Sequence, residues 1–147
     1  MNKILWILAF TIVTLTAKGT ADTNNYIRSI TSKQMDAKEL HKLIKDDVED
    51  FYIVDIREPD QVGHGEIFHL NLVTITRGYL EFKIENKIKN KNAKIIIYCC
   101  TGKRGTLAAK TLSDMGYTNV YSLKGGIREW VADGYPLDTV YGEMFLK

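Results

Sequence analysis

The sequence has little cysteine and little proline, two of each in 147 residues. Two cysteines cannot build a disulfide framework, nor by themselves a four-ligand zinc site. So few prolines, with only eleven glycines, exclude a collagenous or low-complexity chain and leave no Pro/Gly linker to divide it. Charge of one sign is also missing. Twenty Lys and Arg face eighteen Asp and Glu, so the clustered basic excess of a nucleic-acid binder is absent. No apolar run reaches the ~20 residues a bilayer span needs. What is present is 45% hydrophobic residues over a length suited to one domain.

Residues 1–21 read as a secretory signal peptide. Lys3 supplies the positive start, Ile4 to Leu15 the apolar run, and Gly19, Thr20 and Ala21 a small-residue cleavage box, with Ala17-Lys18-Gly19 as the alternative. A retained membrane anchor is the other reading, for which the run is short. No cysteine follows the run, which argues against lipoprotein processing. Removing the segment takes away Lys3 and Lys18 and no acid, so the remainder is formally neutral and faces no membrane. The location expected is periplasmic or secreted, an oxidising compartment for two thiols. Residues 22–30 are then a lead-in and residues 31–147 the domain.

Along that domain, helix and strand signals alternate. Asp36 with Glu39 three residues on forms a capping box ahead of Ala37, Leu40, His41 and Ile44 at helical spacing. Residues 51–55 read as a buried strand ending in Asp55, and 79–91 as a helix with a Lys-rich solvated face. Residues 94–98, apolar on both faces, read as a central parallel strand. A helix is expected from about Arg104 to Met115, stopped by Gly116, and a strand over 120–123. A helix carrying Ile127, Trp130 and Val131 follows Gly125 and Gly126 and stops at Gly134. Such alternation predicts a three-layer α/β fold, a mostly parallel central sheet flanked by helices.

In such a sheet, ligands bind beyond the carboxyl ends of the strands. Cys99, Cys100, Thr101, Gly102, Lys103, Arg104 and Gly105 stand there, between a strand and a helix. A loop of this kind turns successive amides inward at the helix N-terminus, making an anion nest that favours a thiolate. Lys103 and Arg104 add positive charge, which suits a nucleophile attacking an anionic or sulfur-rich substrate. The plainer alternatives are two small core residues or a strained disulfide between neighbours.

Tyr98-Cys99-Cys100-Thr101-Gly102-Lys103-Arg104 resembles the active loop of the rhodanese family of sulfurtransferases, Cys-x-x-Gly-x-Arg-Ser. Val54-Asp55-Ile56-Arg57-Glu58-Pro59 is similar to the family's Asp-Val-Arg-x-Pro signature. Leu123-Lys124-Gly125-Gly126 through Trp130, then Gly134-Tyr135-Pro136, is similar to its C-terminal signature. The resemblance covers roughly residues 30–138 and implies a rhodanese-like fold. It also implies that Cys99 is the nucleophile and carries a persulfide, in a cradle of Cys100, Thr101, Gly102, Lys103 and Gly105. Arg104 would orient the donor. Rhodanese-like phosphatases and arsenate reductases need Cys-x5-Arg, and neither cysteine here has an arginine at that spacing.

The resemblance implies thiosulfate or a polysulfide as donor and cyanide or a thiol as acceptor, with no metal or cofactor. Asp55 either steadies the loop or caps the next turn, and Arg57 pairs with an acid. Arg77 either faces the pocket or forms a salt bridge. His41, His64 and His69 are expected in surface or turn roles. Gly105 stands where the family has Ser, and residues 65–78 match its pattern poorly. These departures leave open a module of the same fold that binds a partner or a sulfur species without turnover.

Overall fold

A computed structural model describes residues 25–47 and 49–145 of the chain; the signal peptide expected at 1–21 lies outside them. Residues 25–29 are helical. From Ser32 onward the chain forms one compact α/β unit.

Its elements run β1 (Lys33–Met35), α1 (Ala37–Asp46), β2 (Phe51–Asp55), α2 (Pro59–Val62) and β3 (Leu72–Thr74). A 3-10 turn at Arg77–Tyr79 leads into α3 (Leu80–Lys87), then β4 (Lys94–Tyr98), α4 (Lys103–Asp114), β5 (Val120–Leu123) and α5 (Gly126–Ala132). A last pair, β6 (Leu137–Thr139) and β7 (Gly142–Met144), closes the unit. The first five strands make one sheet in the order β1-β5-β4-β2-β3, every neighbouring pair parallel. The pair β6 and β7 is antiparallel and separate.

Strand alternation sorts the apolar residues to two faces. Val54, Ile95, Ile97 and Val120 face α3 and α4, where they meet Leu80, Ile84, Ala108 and Leu112. Phe51, Ile53, Ile96 and Tyr98 face the other way, toward Leu40 of α1 and Ile127 and Trp130 of α5. β4 lies third in the sheet, and all of its residues from Ile95 to Tyr98 are fully buried. Both faces are covered, which is why this strand reads as a continuous apolar run.

Two local rules set the helix starts. Asp36 accepts the Glu39 amide at 2.8 Å while Glu39 accepts the Asp36 amide at 3.1 Å, the reciprocal box that opens α1. Gly102 and Gly125, both at positive φ, precede α4 and α5. The helix expected at 79–91 is shorter. It ends at Lys87, because Ile88 turns extended to bury itself in the α3/α4 face. Asn90 then accepts the Asn92 amide at 2.9 Å in a turn. Among the described residues no helix is long and apolar enough to cross a membrane.

Candidate active site

The register of β4 with β2 and β5 brings three connections together at the carboxyl edge of the sheet. The loop from Cys99 to Gly102 leaves β4 there and enters α4 through Gly102. α5 starts against that loop. The Ile127 amide donates to the Cys99 carbonyl at 2.9 Å and the Arg128 amide to the Cys100 carbonyl at 3.1 Å. The contact is close enough that a Cβ on Gly126 would overlap the Cys99 carbonyl oxygen. Gly102 is similarly confined, with φ +83° and the Gly125 amide nitrogen 3.0 Å from where a Cβ would sit.

With those carbonyls turned toward α5, the amides of residues 100–105 are left without a backbone or side-chain acceptor among the described residues. Unused N–H groups ahead of a 12-residue helix are the kind of arrangement that favours an anion. Cys99 lies at the base of the loop. Its side chain follows that of Ile97 on the α3/α4 face and is fully buried among the apolar residues there. Cys100 is half-buried, with its Sγ 3.5 Å from Arg104 Nη2, and both thiols are free.

Arg104 is held from the side by α2. Its Nη2 donates to Gln61 Oε1 at 2.8 Å, and Glu58 Oε1 lies 3.8 Å from Nη1. Neither Glu58 nor Gln61 was singled out from the sequence. They stand some forty residues before Arg104, and only the N-terminal capping box of α2, in which Glu58 and Gln61 pair, marks them locally. Lys103 and Thr101 are exposed, whereas Gly102 and Gly105 are buried.

Beneath the loop is a buried polar cluster. Asp55, at the end of β2, accepts from Arg57 Nη2 at 2.6 Å, from Arg57 Nε at 2.9 Å and from the Arg57 amide at 3.0 Å. It also accepts from the Tyr98 hydroxyl at 2.7 Å, so it both caps the next turn and fixes the residue before Cys99. Arg57 reaches on to the Gly65 and Gln61 carbonyls. Burial alone would lower the Arg57 pKa, but hydrogen bonding to Asp55 and the nearby Tyr98 and Asp55 hold it above its ordinary value. Burial and the Asp55 carboxylate push the Tyr98 phenol well above the usual tyrosine range, so it stays protonated, donating to Asp55 while its oxygen accepts the Ile67 amide at 3.3 Å.

Arg77 is placed elsewhere. Its guanidinium pairs with Glu81 at 2.7 Å and donates to Thr111 Oγ1 at 3.2 Å, about two turns along α4 from Arg104. It makes no hydrogen bond to residues 99–105 among the described residues. His41 stacks on Tyr135, His69 stacks on Phe51, and His64 is exposed.

Comparison with known proteins places this geometry in context. A sulfurtransferase from Allochromatium vinosum is 29% identical over 109 residues, spanning 71% of this chain and 92% of that protein. A tRNA uridine(34) hydroxylase from Prochlorococcus marinus is 31% identical over 120 residues, and the matched region is 76% of this chain but only 38% of the hydroxylase. Among solved structures, the polysulfide-sulfur transferase homodimer from Wolinella succinogenes superposes with a TM-score of 0.71 at 25% identity, covering 82% of this chain and 90% of that one. The sequence model of the rhodanese-like domain matches residues 36–133, from the cap of α1 to the end of α5. The chain belongs to the rhodanese-like domain family.

Proposed function

We propose that this chain is an exported sulfurtransferase that moves sulfane sulfur from thiosulfate or a polysulfide through a persulfide on Cys99. The observation that carries the reading is the loop itself: Cys99 at its base, unused amides along it, and Arg104 tethered at its rim. The Cys99 thiolate attacks the outer sulfur of thiosulfate, the donor S–S bond breaks, and sulfite leaves with the bonding pair. Cyanide carbon or a thiolate then attacks the outer sulfur of the persulfide and restores the Cys99 thiolate. Arg104 and Lys103 attract and orient the anion, and the loop amides hold the charge that moves between donor and enzyme. The sulfurtransferase among its relatives supports the reaction class, and the polysulfide-sulfur transferase supports a polysulfide as donor.

The test is thiocyanate formation from thiosulfate and cyanide by the purified protein. Cys99→Ser is expected to abolish turnover, and Cys100→Ser to retain most of it. Activity surviving in the Cys99 variant overturns the assignment. Export rests on residues 1–21 alone. Expressed with its full sequence in a bacterial host, the recovered protein should have a mass that begins just after Ala21 and should fractionate with the periplasm. An intact N-terminus in the cytoplasm counts against export.

The complete burial of Cys99 favours a second reading, a module that takes up sulfur without turning it over. Such a module gains one sulfur on Cys99 after polysulfide treatment, yet releases no thiocyanate on addition of cyanide.

A further inference from the structure

Ser122 lies on β5, opposite Ile97 of β4, and its side chain points to the sheet face that also carries Ile97 and Cys99. It is fully buried, and its Oγ is the buried side-chain polar atom that finds no hydrogen-bond partner among the described residues. Gly105 lies above it in the first turn of α4. A Cβ on Gly105 would sit 2.8 Å from Ser122 Oγ, so the hydroxyl fills the space that a side chain at position 105 would take. An orphaned buried hydroxyl is destabilising, a cost that alanine at the same position would not incur. Two sets of donors at this end of the sheet therefore lack an acceptor among the described residues: the amides of residues 100–105 and this hydroxyl, which lies beside Gly105. What completes them is an anion, and the side chain that follows Ile97 on this face is Cys99.

We propose that Ser122 Oγ donates a hydrogen bond to the sulfur carried on Cys99, so that the loaded persulfide, and not the empty loop, satisfies it. The inference rests on Cys99 as the sulfur-bearing residue. A serine hydroxyl rotates freely about its C–O bond to meet such an acceptor. A bond to an anionic sulfur is charge-assisted and worth more than one to a neutral group. The ligand class is a terminal sulfane sulfur, the single outer atom of the Cys99 persulfide.

The experiment loads the wild-type protein with thiosulfate, removes the donor, and follows by mass spectrometry the loss of the one-sulfur adduct on Cys99 in thiol-free buffer. The acceptor is a fixed low concentration of sulfite, which takes the outer sulfur as thiosulfate and restores the Cys99 thiolate. Ser122→Ala is expected to lose the adduct about tenfold faster, the worth of one hydrogen bond to a charged group, while its urea midpoint stays level or rises. The double variant Gly105→Ser with Ser122→Ala moves the hydroxyl from strand to helix and should recover most of the lifetime. An unchanged lifetime in Ser122→Ala overturns the proposal. So does a double variant as short-lived as the single one, which assigns the effect to packing. Failure of the wild-type protein to form any Cys99 adduct overturns the Cys99 reading as well, and is distinguished by its appearance before any substitution is made.

Discussion

His69 holds its imidazole against the Phe51 ring, with 4.0 Å between ring centroids, and its Nδ1 accepts the Asn71 amide at 3.2 Å. The Nδ1 contact requires the neutral ring, and burial lowers its pKa below the ordinary value, against the opposing pull of Asp47. A histidine whose folded pKa is depressed contributes stability that is complete above the unfolded value of about 6.5 and is lost as pH falls through the folded one. The urea midpoint of the wild-type protein should therefore exceed that of His69→Gln most at neutral pH, and the gap should narrow on acidification below about pH 6.5. A gap independent of pH would show that the stack matters without its protonation state. The site shows the same limit of local reading at other residues. Cys99 and Arg104 are legible because they stand on one short loop, five positions apart, whereas the groups that tether Arg104, Gln61 and Glu58, lie some forty residues back and are not. Arg77 is not, because Glu81 is a helical neighbour one turn on while Thr111 comes from another helix.

At the scale of elements, the start of α5 is as much a part of the site as the loop is. Its first amides take the Cys99 and Cys100 carbonyls, while the loop amides themselves have no acceptor among the described residues. Gly126 makes that approach possible at φ +61° with no Cβ. Gly126→Ala is expected to cost about 1–3 kcal/mol from the left-handed backbone alone, with more from the overlap with the Cys99 carbonyl. Turnover should fall further than stability does, since the loop must shift. Sulfur transfer measured well below the unfolding midpoint checks this, and full activity there would refute the coupling. The paired glycines were readable as a turn before a helix. Their packing against the loop was not, since it joins residues some twenty-five positions apart. β2, β4, β5, α1, α4 and α5 announce themselves by period and caps. β1, β3, β6 and β7 span three residues each, too few for alternation to show, and they exist because a neighbouring strand already offers hydrogen-bond partners.

From Ser32 onward the described residues form two apolar layers on one parallel sheet, beside a separate antiparallel pair, and the strands that separate the layers also join them. Ile96 and Ile97 are adjacent on β4 and both fully buried, yet Ile96 packs toward α1 and α5 while Ile97 packs toward α3 and α4. If the layers could melt separately, the loop would survive loss of either. The shared strands argue otherwise: β4 cannot lose its packing on one face and keep the hydrogen bonds that hold β2 and β5 in register. With residues 1–21 removed, Trp130 is the single tryptophan, and it reports from the α5 layer. Ile97→Ala, on the far side of the sheet, should lower the Trp130-detected urea midpoint about as much as Ile96→Ala does. Each should cost about 2–5 kcal/mol, the range for truncating a buried isoleucine. Both variants should unfold in one transition, coincident by fluorescence and far-UV circular dichroism. An Ile97 variant whose dichroism falls before its Trp130 fluorescence changes would mean that the α3/α4 layer, and Cys99 with it, opens on its own, which would give a buried thiol a route to its substrate by local unfolding.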